Sequence, residues 1–222
     1  MLVRQKMTKK PVTISTDTSV PDALQLMHDR KVHRLPVLNT KGKLVGIVSE
    51  GDLLYASPSP ATTLNVWEMH ALLAKLKVEE VMTREVITVT EDTPIEEAAQ
   101  SMVENKIGGL PVLREKELVG IITETDIFKV FISLLGGYRS GVRVAATISC
   151  KRGTFAKISS AIFKAGGDIV GLGFDEISDQ PDADWEMTIK VQDIPKTKIA
   201  DVLKPVVRKI TDIRKIVDVR KM

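Results

Sequence analysis

The sequence predicts a mixed α/β fold of the α+β type, with two related halves followed by a third domain of different architecture. Three observations support this prediction. The stretch GIVSEGD at 46–52 recurs as GIITETD at 120–126, and the flanking residues recur with it. A stretch rich in Ser and Pro separates the two copies. The region 142–222 does not match the repeat, and its strand-like and helix-like patterns follow the order βαββαβ.

The composition is that of a globular protein. Hydrophobic residues make up 43% of the 222 residues and charged residues 27%, so there is enough apolar surface for a core. The formal net charge of +3 is too small to indicate a nucleic-acid partner. A single cysteine, Cys150, excludes a disulfide within the chain. Because there is also no apolar signal core and no stretch long enough to span a membrane, we expect a cytoplasmic protein with no membrane span.

The repeat is a whole unit rather than a short motif. Residues 7–38 align with residues 82–113 without a gap, and residues 43–54 align with residues 117–128 after a one-residue deletion in the second copy. Two copies of one unit predict two half-modules that pair about a pseudo-twofold axis. The expected domains are the first copy at 1–56, a linker helix at 57–77, the second copy at 78–136 and the third domain at 142–222.

Within each copy the predicted order is strand, helix, strand, strand and helix. Short β-branched runs at 12–14 and 87–89 predict the first strands. The residues at 19–22 predict one helix start, and Thr93 with the proline and acid that follow it predicts the other. The LPVL and LVGI runs predict two strands joined by a turn, and the repeated acidic motif opens the last helix. Apolar residues at helical spacing are expected to face the core: Ala23, Leu24, Met27, Ala98, Ala99 and Met102.

The linker and the third domain have their own patterns. Thr63 predicts the cap of the linker helix, which either packs on the two copies or binds a partner. One apolar stripe of the third domain is expected to face its core, and it comprises Phe155, Ile158, Ile162 and Phe163. The predicted elements of this domain are a strand at 142–150, a helix at 153–167, strands at 168–177 and 183–192, a helix at 195–206 and a strand at 210–219.

The repeated motif places a hydroxyl and an acid at the start of a helix, as Ser49 with Asp52 and as Thr123 with Asp126. Backbone N–H groups at a helix start favour anions, so the hydroxyl suits a phosphate and the acid suits two ribose hydroxyls. Further candidates allow close backbone approach or form apolar walls for a base: Gly46, Gly120, Val12 and Ile87. The same motif is also a capping box, which closes a helix end without any ligand. The motif alone leaves both interpretations open, and the recurrence of the whole frame favours a ligand.

The two copies resemble a known family. VMTREVITVTEDTPIEEAAQSMVENKIGGLPVL with LVGIITETDIF resembles a CBS domain, and the first copy matches as well. Two such domains over residues 1–135 resemble a Bateman module, which implies binding of adenine nucleotides or S-adenosylmethionine in clefts between the repeats. The resemblance also implies that Arg34, beside His33, contacts phosphate. Because the second copy has Gly108 and Gly109 at these positions, we expect unequal clefts, with phosphate held better where Arg34 faces.

The third domain resembles an ACT domain through CKRGTFAKISSAIFKAGGDIVGLGF, although the family usually has Pro-Gly-x-Leu where this chain has Arg-Gly-Thr-Phe. The resemblance implies dimer formation and, as a second role, binding of a small ligand such as an amino acid. The implied ligand residues are Arg152, Gly153, Thr154, Gly167 and Asp168. The order CBS–CBS–ACT is similar to bacterial acetoin utilization proteins of the B type, which implies a link to acetoin catabolism.

Together these features predict a non-catalytic regulatory sensor. It requires no cofactor, and AMP, ADP or ATP is its expected regulatory ligand. We expect no catalytic residues and no metal site, since none of the three histidines has a cysteine nearby to complete a ligand set. The expected partners are the nucleotide and a second copy in a homodimer, with the regulated enzyme unknown and nucleic acid disfavoured. Two alternatives remain, an interaction scaffold with empty clefts and a nucleotide-hydrolysing enzyme.

Overall fold

The computed structural model describes residues 1–56, 75–177 and 184–218 of the chain. The chain divides into two compact units, Met1–Ile127 and Phe128–Met222. The boundary lies inside a helix rather than after it. The predicted linker helix at 57–77 falls largely outside the described residues, and so does its expected cap, Thr63.

In the first unit each copy has the predicted order of elements, after short additional structure at its start. The first copy contains the strand β1 (Thr8–Lys9), which is followed by β2 (Ile14–Ser15), α1 (Val20–Arg30), β3 (Arg34–Leu38), β4 (Leu44–Ser49) and α2 (Glu50–Tyr55). The second copy contains the one-turn helix α3 (Val78–Val81), which is followed by β5 (Val89–Thr90), α4 (Ile95–Asn105), β6 (Gly109–Arg114), β7 (Glu117–Thr123) and α5 (Glu124–Leu134). β2 pairs in parallel with β3, as β5 does with β6, and β3 pairs antiparallel with β4, as β6 does with β7.

Local chemistry explains where the equivalent helices α1 and α4 of the two copies begin. Ser19 Oγ accepts a hydrogen bond from the Asp22 N–H at 3.2 Å and caps α1, as predicted. The predicted cap of α4 by Thr93 is wrong. Pro94 is the N-cap residue of α4 and provides no side-chain cap, while Thr93 Oγ1 accepts a hydrogen bond from the Thr90 N–H at 3.1 Å. Of the positions expected to face the core, Ala23, Met27, Ala98 and Met102 are buried, and Leu24 and Ala99 are half-buried.

The two copies exchange their N-terminal segments about a pseudo-twofold axis. The same backbone hydrogen bonds occur twice with the copies exchanged: Val3 N–H to Thr93 O and Val78 N–H to Thr18 O, both 2.9 Å, and Ile95 N–H to Met1 O and Val20 N–H to Leu76 O, both 3.0 Å. The strand β1 likewise joins β7 of the other copy. The segment at Thr83 pairs with Ile47 of β4 through two hydrogen bonds of 2.9 and 3.0 Å. Neither copy is therefore complete without the other.

The second unit has the predicted βαββαβ order. Its elements are β8 (Gly141–Ile148), α6 (Thr154–Lys164), β9 (Asp168–Glu176), β10 (Trp185–Gln192), α7 (Lys196–Leu203) and β11 (Lys209–Ile216). The strands form one antiparallel sheet in the order β11-β8-β10-β9. Ile158 and Ile162 of α6 and Ile199 of α7 are fully buried in the core cluster with the apolar residues of β8 and β10. This is the strand order of a ferredoxin-like sandwich.

The apolar stripe expected on α6 is only partly correct. Ile158 and Ile162 are buried, but Phe163 is 79% exposed and Phe155 is 40% exposed. Phe163 follows Ile162 directly, so the helical turn carries it away from the face that Ile162 buries. Phe155 packs edge-to-face on Phe174 of β9, with ring centroids 5.7 Å apart.

The turn after α5 lies against β9 and β10 within the second unit. Lys190 of β10 is 3% exposed, and its Nζ donates a hydrogen bond to Gly136 O at 2.9 Å. Burial lowers the pKa of the Lys190 ammonium, and the charge of Asp218 opposes this shift. The backbone of this turn passes so close to β9 that position 171 must be a glycine. A Cβ on Gly171 would lie 2.5 Å from Gly136 N.

A Gly171→Ala substitution is expected to destabilise the second unit by about 1–3 kcal/mol, because the new methyl group meets backbone that cannot rotate away. Thermal or urea unfolding of the full chain measures this. The control is Gly51→Ala in α2, where the nearest atom to a Cβ is Ser49 Oγ at 3.6 Å. If Gly171→Ala unfolds at the same midpoint as the parent, the described packing of the turn is incorrect.

No helix among residues 1–56, 75–177 and 184–218 is long and apolar enough to cross a bilayer.

Candidate functional site

A cavity of about 330 Å³ lies in the first unit, and both copies line it. Its volume is at the lower end of the range for small-molecule sites, which is about 300–1,000 Å³. The first copy contributes Arg34, Ser49 and Asp52, and the second contributes Ile87. The cavity therefore brings together four of the residues that the sequence nominated, from strands and helix starts far apart in the chain.

The motif at the end of β4 forms a complete capping box. Ser49 N–H and Ser49 Oγ donate to Asp52 Oδ2 at 2.8 and 2.7 Å, and Asp52 N–H donates to Ser49 Oγ at 3.2 Å. Both side chains also line the cavity. Each bond to the carboxylate uses Oδ2, and Oδ1 accepts no hydrogen bond from the described part of the chain. The capping interpretation is thus correct, and Oδ1 of the same carboxylate takes no part in the cap.

The motif of the second copy is arranged in the same way. Thr123 N–H and Thr123 Oγ1 donate to Asp126 Oδ2 at 3.0 and 2.8 Å. Neither residue lines the cavity that holds Asp52, and neither does Val12. By the pseudo-twofold relation, these three residues take the places of Ser49, Asp52 and Ile87 on the opposite side of the pair.

Arg34 faces the Asp52 cavity. It crosses from the first copy to the start of β6 in the second, where Gly108 and Gly109 leave room for it. A Cβ on Gly108 would lie 2.9 Å from Arg34 Cζ, and a Cβ on Gly109 would lie 3.2 Å from Arg34 Cδ. The sequence did not indicate which cleft Arg34 faces, because this depends on how the two copies pair.

His33 does not line this cavity. Its side chain is largely exposed, and Nδ1 lies 2.7 Å from Glu50 Oε2 at the start of α2.

The expected role of Gly46 and Gly120 requires a correction. At each glycine, the position that a Cβ would take is next to a methionine of the other copy. It does not open onto the cavity. A Cβ on Gly46 would lie 2.9 Å from Met82 Cγ, and a Cβ on Gly120 would lie 2.5 Å from Met7 Sδ. Both glycines permit close approach, as expected, but the approaching group is the exchanged N-terminal segment. Neither glycine lines the Asp52 cavity.

Sequence reasoning missed two charged residues of the cavity, Glu85 and Lys106. Glu85 lies in the segment between α3 and β5, which carries no recognisable motif. Lys106 ends α4 in the left-handed conformation, with φ 54°, and Lys31 ends α1 in the same way, with φ 53°. A lysine recurs at the end of this helix in both copies, and this recurrence is the sequence signal that could have identified Lys106.

The residues nominated in the second unit do not come together around a described cavity. Gly153 precedes α6 with φ 81°, and Thr154 Oγ1 donates to Lys151 O at 2.8 Å. Gly167 has a packing role, because a Cβ there would lie 2.8 Å from Val191 Cγ1. Three cavities among the described residues of this unit are lined by residues other than Arg152, Gly153, Thr154, Gly167 and Asp168.

Two copies of one αβ unit that exchange their N-terminal segments and share a cavity define a tandem-repeat module. The family model for the CBS domain matches residues 3–59 and 78–133. The chain belongs to the CBS-domain family, and the predicted tandem CBS pair is confirmed.

The relatives agree with this assignment. A CBS domain-containing protein of Dictyostelium discoideum is 36% identical over 136 residues, which are 61% of this chain and 94% of that protein. The solved CBS domain pair of protein MJ0100, in complex with 5′-methylthioadenosine and S-adenosyl-L-methionine, is 32% identical with a TM-score of 0.50 and covers 59% of this chain and 95% of that one. A Vibrio cholerae structure assigned to acetoin utilization (AcuB) is 34% identical with a TM-score of 0.51, and covers 61% of this chain and 93% of that one.

Proposed function

We propose that this chain is a non-catalytic regulatory protein whose CBS pair binds an adenosine-containing ligand in the cavity shared by Arg34 and Asp52. One observation supports this most strongly. One cavity is lined by a cation, a hydroxyl, a carboxylate and apolar side chains, and both copies contribute to it. These groups suit the phosphate, the ribose and the base of an adenosine ligand. The similar MJ0100 pair, solved with two adenosine derivatives, supports the same ligand class.

Each residue has a distinct role in this proposal. Ile87 and the nearby Pro111 form apolar walls for the adenine ring. The Oδ1 atom of Asp52 accepts hydrogen bonds from the ribose hydroxyls, while Oδ2 keeps the helix cap. The Arg34 guanidinium contacts the phosphate, with Ser49 beside it.

A second cleft is proposed at the pseudo-twofold position, with Thr123, Asp126 and Val12 in the equivalent roles and His33 nearby. Arg34 extends into the Asp52 cavity and glycine replaces it in the second copy, so the two clefts are unequal. We expect phosphate-bearing ligands to bind more tightly in the Asp52 cavity.

Regulation follows from the exchange of segments between the copies. A ligand that contacts both copies binds one inter-copy arrangement better than others, and therefore shifts the population toward it. We further propose that the second unit is an ACT domain that mediates homodimer formation or binds a second small ligand at Arg152, Gly153, Thr154, Gly167 and Asp168. The similarity to the Vibrio cholerae structure supports a link to acetoin utilization.

The competing function is an interaction scaffold with empty clefts. The complete capping box at Ser49 and Asp52 favours it, because such a box has a structural role without any ligand.

A thermal-shift screen with AMP, ADP, ATP, 5′-methylthioadenosine, S-adenosylmethionine and NAD separates the two functions. A ligand at about 100 times its Kd stabilises the folded state by about 2.7 kcal/mol, so at least one adenosine compound should raise the unfolding temperature. GMP serves as the matched control for the base. If none of the adenosine compounds shifts the unfolding temperature at millimolar concentration, the scaffold function replaces the sensor function.

A further inference from the structure

The helices α2 and α5 each begin with a glutamate, Glu50 and Glu124, and the two carboxylates have different neighbours. Glu50 and Glu124 are equivalent, and their N–H groups donate to equivalent carbonyls, His33 O at 3.0 Å and Gly108 O at 3.2 Å. In the first copy the Glu50 carboxylate contacts His33 Nδ1 at 2.7 Å. In the second copy the equivalent of His33 is Gly108, which has no side chain to offer.

Arg34 fills the space that the missing side chain leaves. A Cβ on Gly108 would lie 2.9 Å from Arg34 Cζ and 2.6 Å from Glu124 Oε2. The guanidinium and the carboxylate therefore border the same small space above Gly108, which lines the cavity. The Glu124 carboxylate of the second copy therefore lies near the Arg34 guanidinium, which is proposed to contact the ligand phosphate, although Glu124 is not itself among the residues that line the cavity.

The charges in and beside the cavity nearly cancel. Arg34 and Lys106 are cationic, and Asp52 and Glu85 line the same cavity as anions. Glu124 adds a third carboxylate next to Arg34. A pocket built for a triphosphate needs a clear excess of positive charge, because each phosphate that stays unpaired is repelled by nearby carboxylates.

We propose that Glu124 is a specificity-determining residue that makes the Arg34 cavity select adenosine ligands with one phosphate, or with an uncharged or cationic 5′ group, over ADP and ATP. This inference rests on the proposed adenosine site. Glu124 partly compensates the charge of Arg34, which leaves enough attraction for a monophosphate. The second and third phosphates of ATP then meet the carboxylates of Glu124 and Glu85, with Lys106 as the one further cation that lines the cavity among the described residues.

The test is calorimetric titration of the full chain with AMP and ATP, before and after a Glu124→Gln substitution. Glutamine keeps the size and shape of the side chain and removes its charge. One unit charge at about 5 Å changes binding by about four- to tenfold in a largely solvated site. The parent is expected to bind AMP more tightly than ATP, and Glu124→Gln is expected to shift the AMP/ATP affinity ratio toward ATP by about that factor.

The matched control is Glu96→Gln, which removes an acid from the first turn of α4, another helix of the same unit. An atom of Glu124 is among the nearest to a Cβ on Gly108, beside Arg34, whereas Glu96 has none there and does not line the cavity. Glu96→Gln should lose as much helix-dipole stabilisation as Glu124→Gln and leave the affinity ratio unchanged. If AMP binds and Glu124→Gln leaves the ratio as in the parent, Glu124 has no selective role and the adenosine site still stands. If neither nucleotide nor any other adenosine compound binds the parent, the adenosine site fails and the selectivity fails with it.

Discussion

An Asp52→Ala variant is expected to bind AMP about 10–100-fold more weakly than the parent chain. The carboxylate is the acceptor proposed for the ribose hydroxyls, and a hydrogen bond to a charged group contributes about 1.5–3 kcal/mol, or one to two decades in affinity. The variant also loses the bonds from Ser49 to Oδ2, so its free energy of unfolding should fall by about 1 kcal/mol. Calorimetric titration measures the first effect, and thermal unfolding measures the second.

Asp22→Ala provides the matched control for this prediction. Ser19 and Asp22 form a similar cap at the start of α1, with Ser19 Oγ donating to Asp22 Oδ2 at 2.6 Å and accepting from the Asp22 N–H at 3.2 Å, and neither residue lines the cavity. Asp22→Ala should lose stability and keep its AMP affinity. If Asp52→Ala behaves like Asp22→Ala, the Asp52 carboxylate serves only as a helix cap.

An Arg34→Ala variant is expected to lose about 10–100-fold in affinity for AMP and to keep its affinity for adenosine. The guanidinium is proposed to contact only the phosphate. The affinity for adenosine, which has no phosphate, should therefore not change when Arg34 is removed. The comparison of the two ligands in one variant separates a lost phosphate contact from general damage to the cavity. Calorimetry with both compounds measures the difference.

Arg30→Ala is the control for Arg34→Ala, because it removes an exposed arginine from the last turn of α1 and the residue does not line the cavity. It should leave both affinities unchanged. Equal weakening of AMP and adenosine by Arg34→Ala would contradict a phosphate role for this residue. An unchanged AMP affinity would contradict the predicted inequality of the two clefts.

Much of this fold was predictable because its signals are local. The repeat fixed the order of elements in both copies, and the alternation in the last 80 or so residues predicted the βαββαβ order of the second unit. Ser19 was recognisable as a cap because its partner is only three residues away. Phe163 was assigned to the apolar stripe of α6, but it follows Ile162 directly, so the helix turns it away from the face that Ile162 buries.

The features that the sequence did not reveal depend on how the copies pair. Gly46 was expected to let another group approach the backbone closely. Only the exchange of segments between the copies identifies that group as Met82. The cleft that Arg34 faces and its closeness to Glu124 likewise depend on pairing. Arg34, Gly108 and Glu124 come from three separate chain segments, and no local pattern connects them. Ser49 and Asp52 were predicted because they form a motif, whereas Glu85 was missed because its segment has none.

The central claim is that the cavity between the two copies binds an adenosine ligand through Asp52 and Arg34. A crystal structure of the full chain grown with saturating AMP tests it most directly. The account predicts AMP in this cavity, with ribose hydroxyls in hydrogen-bond contact with Asp52 Oδ1 and the phosphate in contact with the Arg34 guanidinium. A cavity that stays empty under these conditions, or AMP bound without contact to either residue, would contradict it.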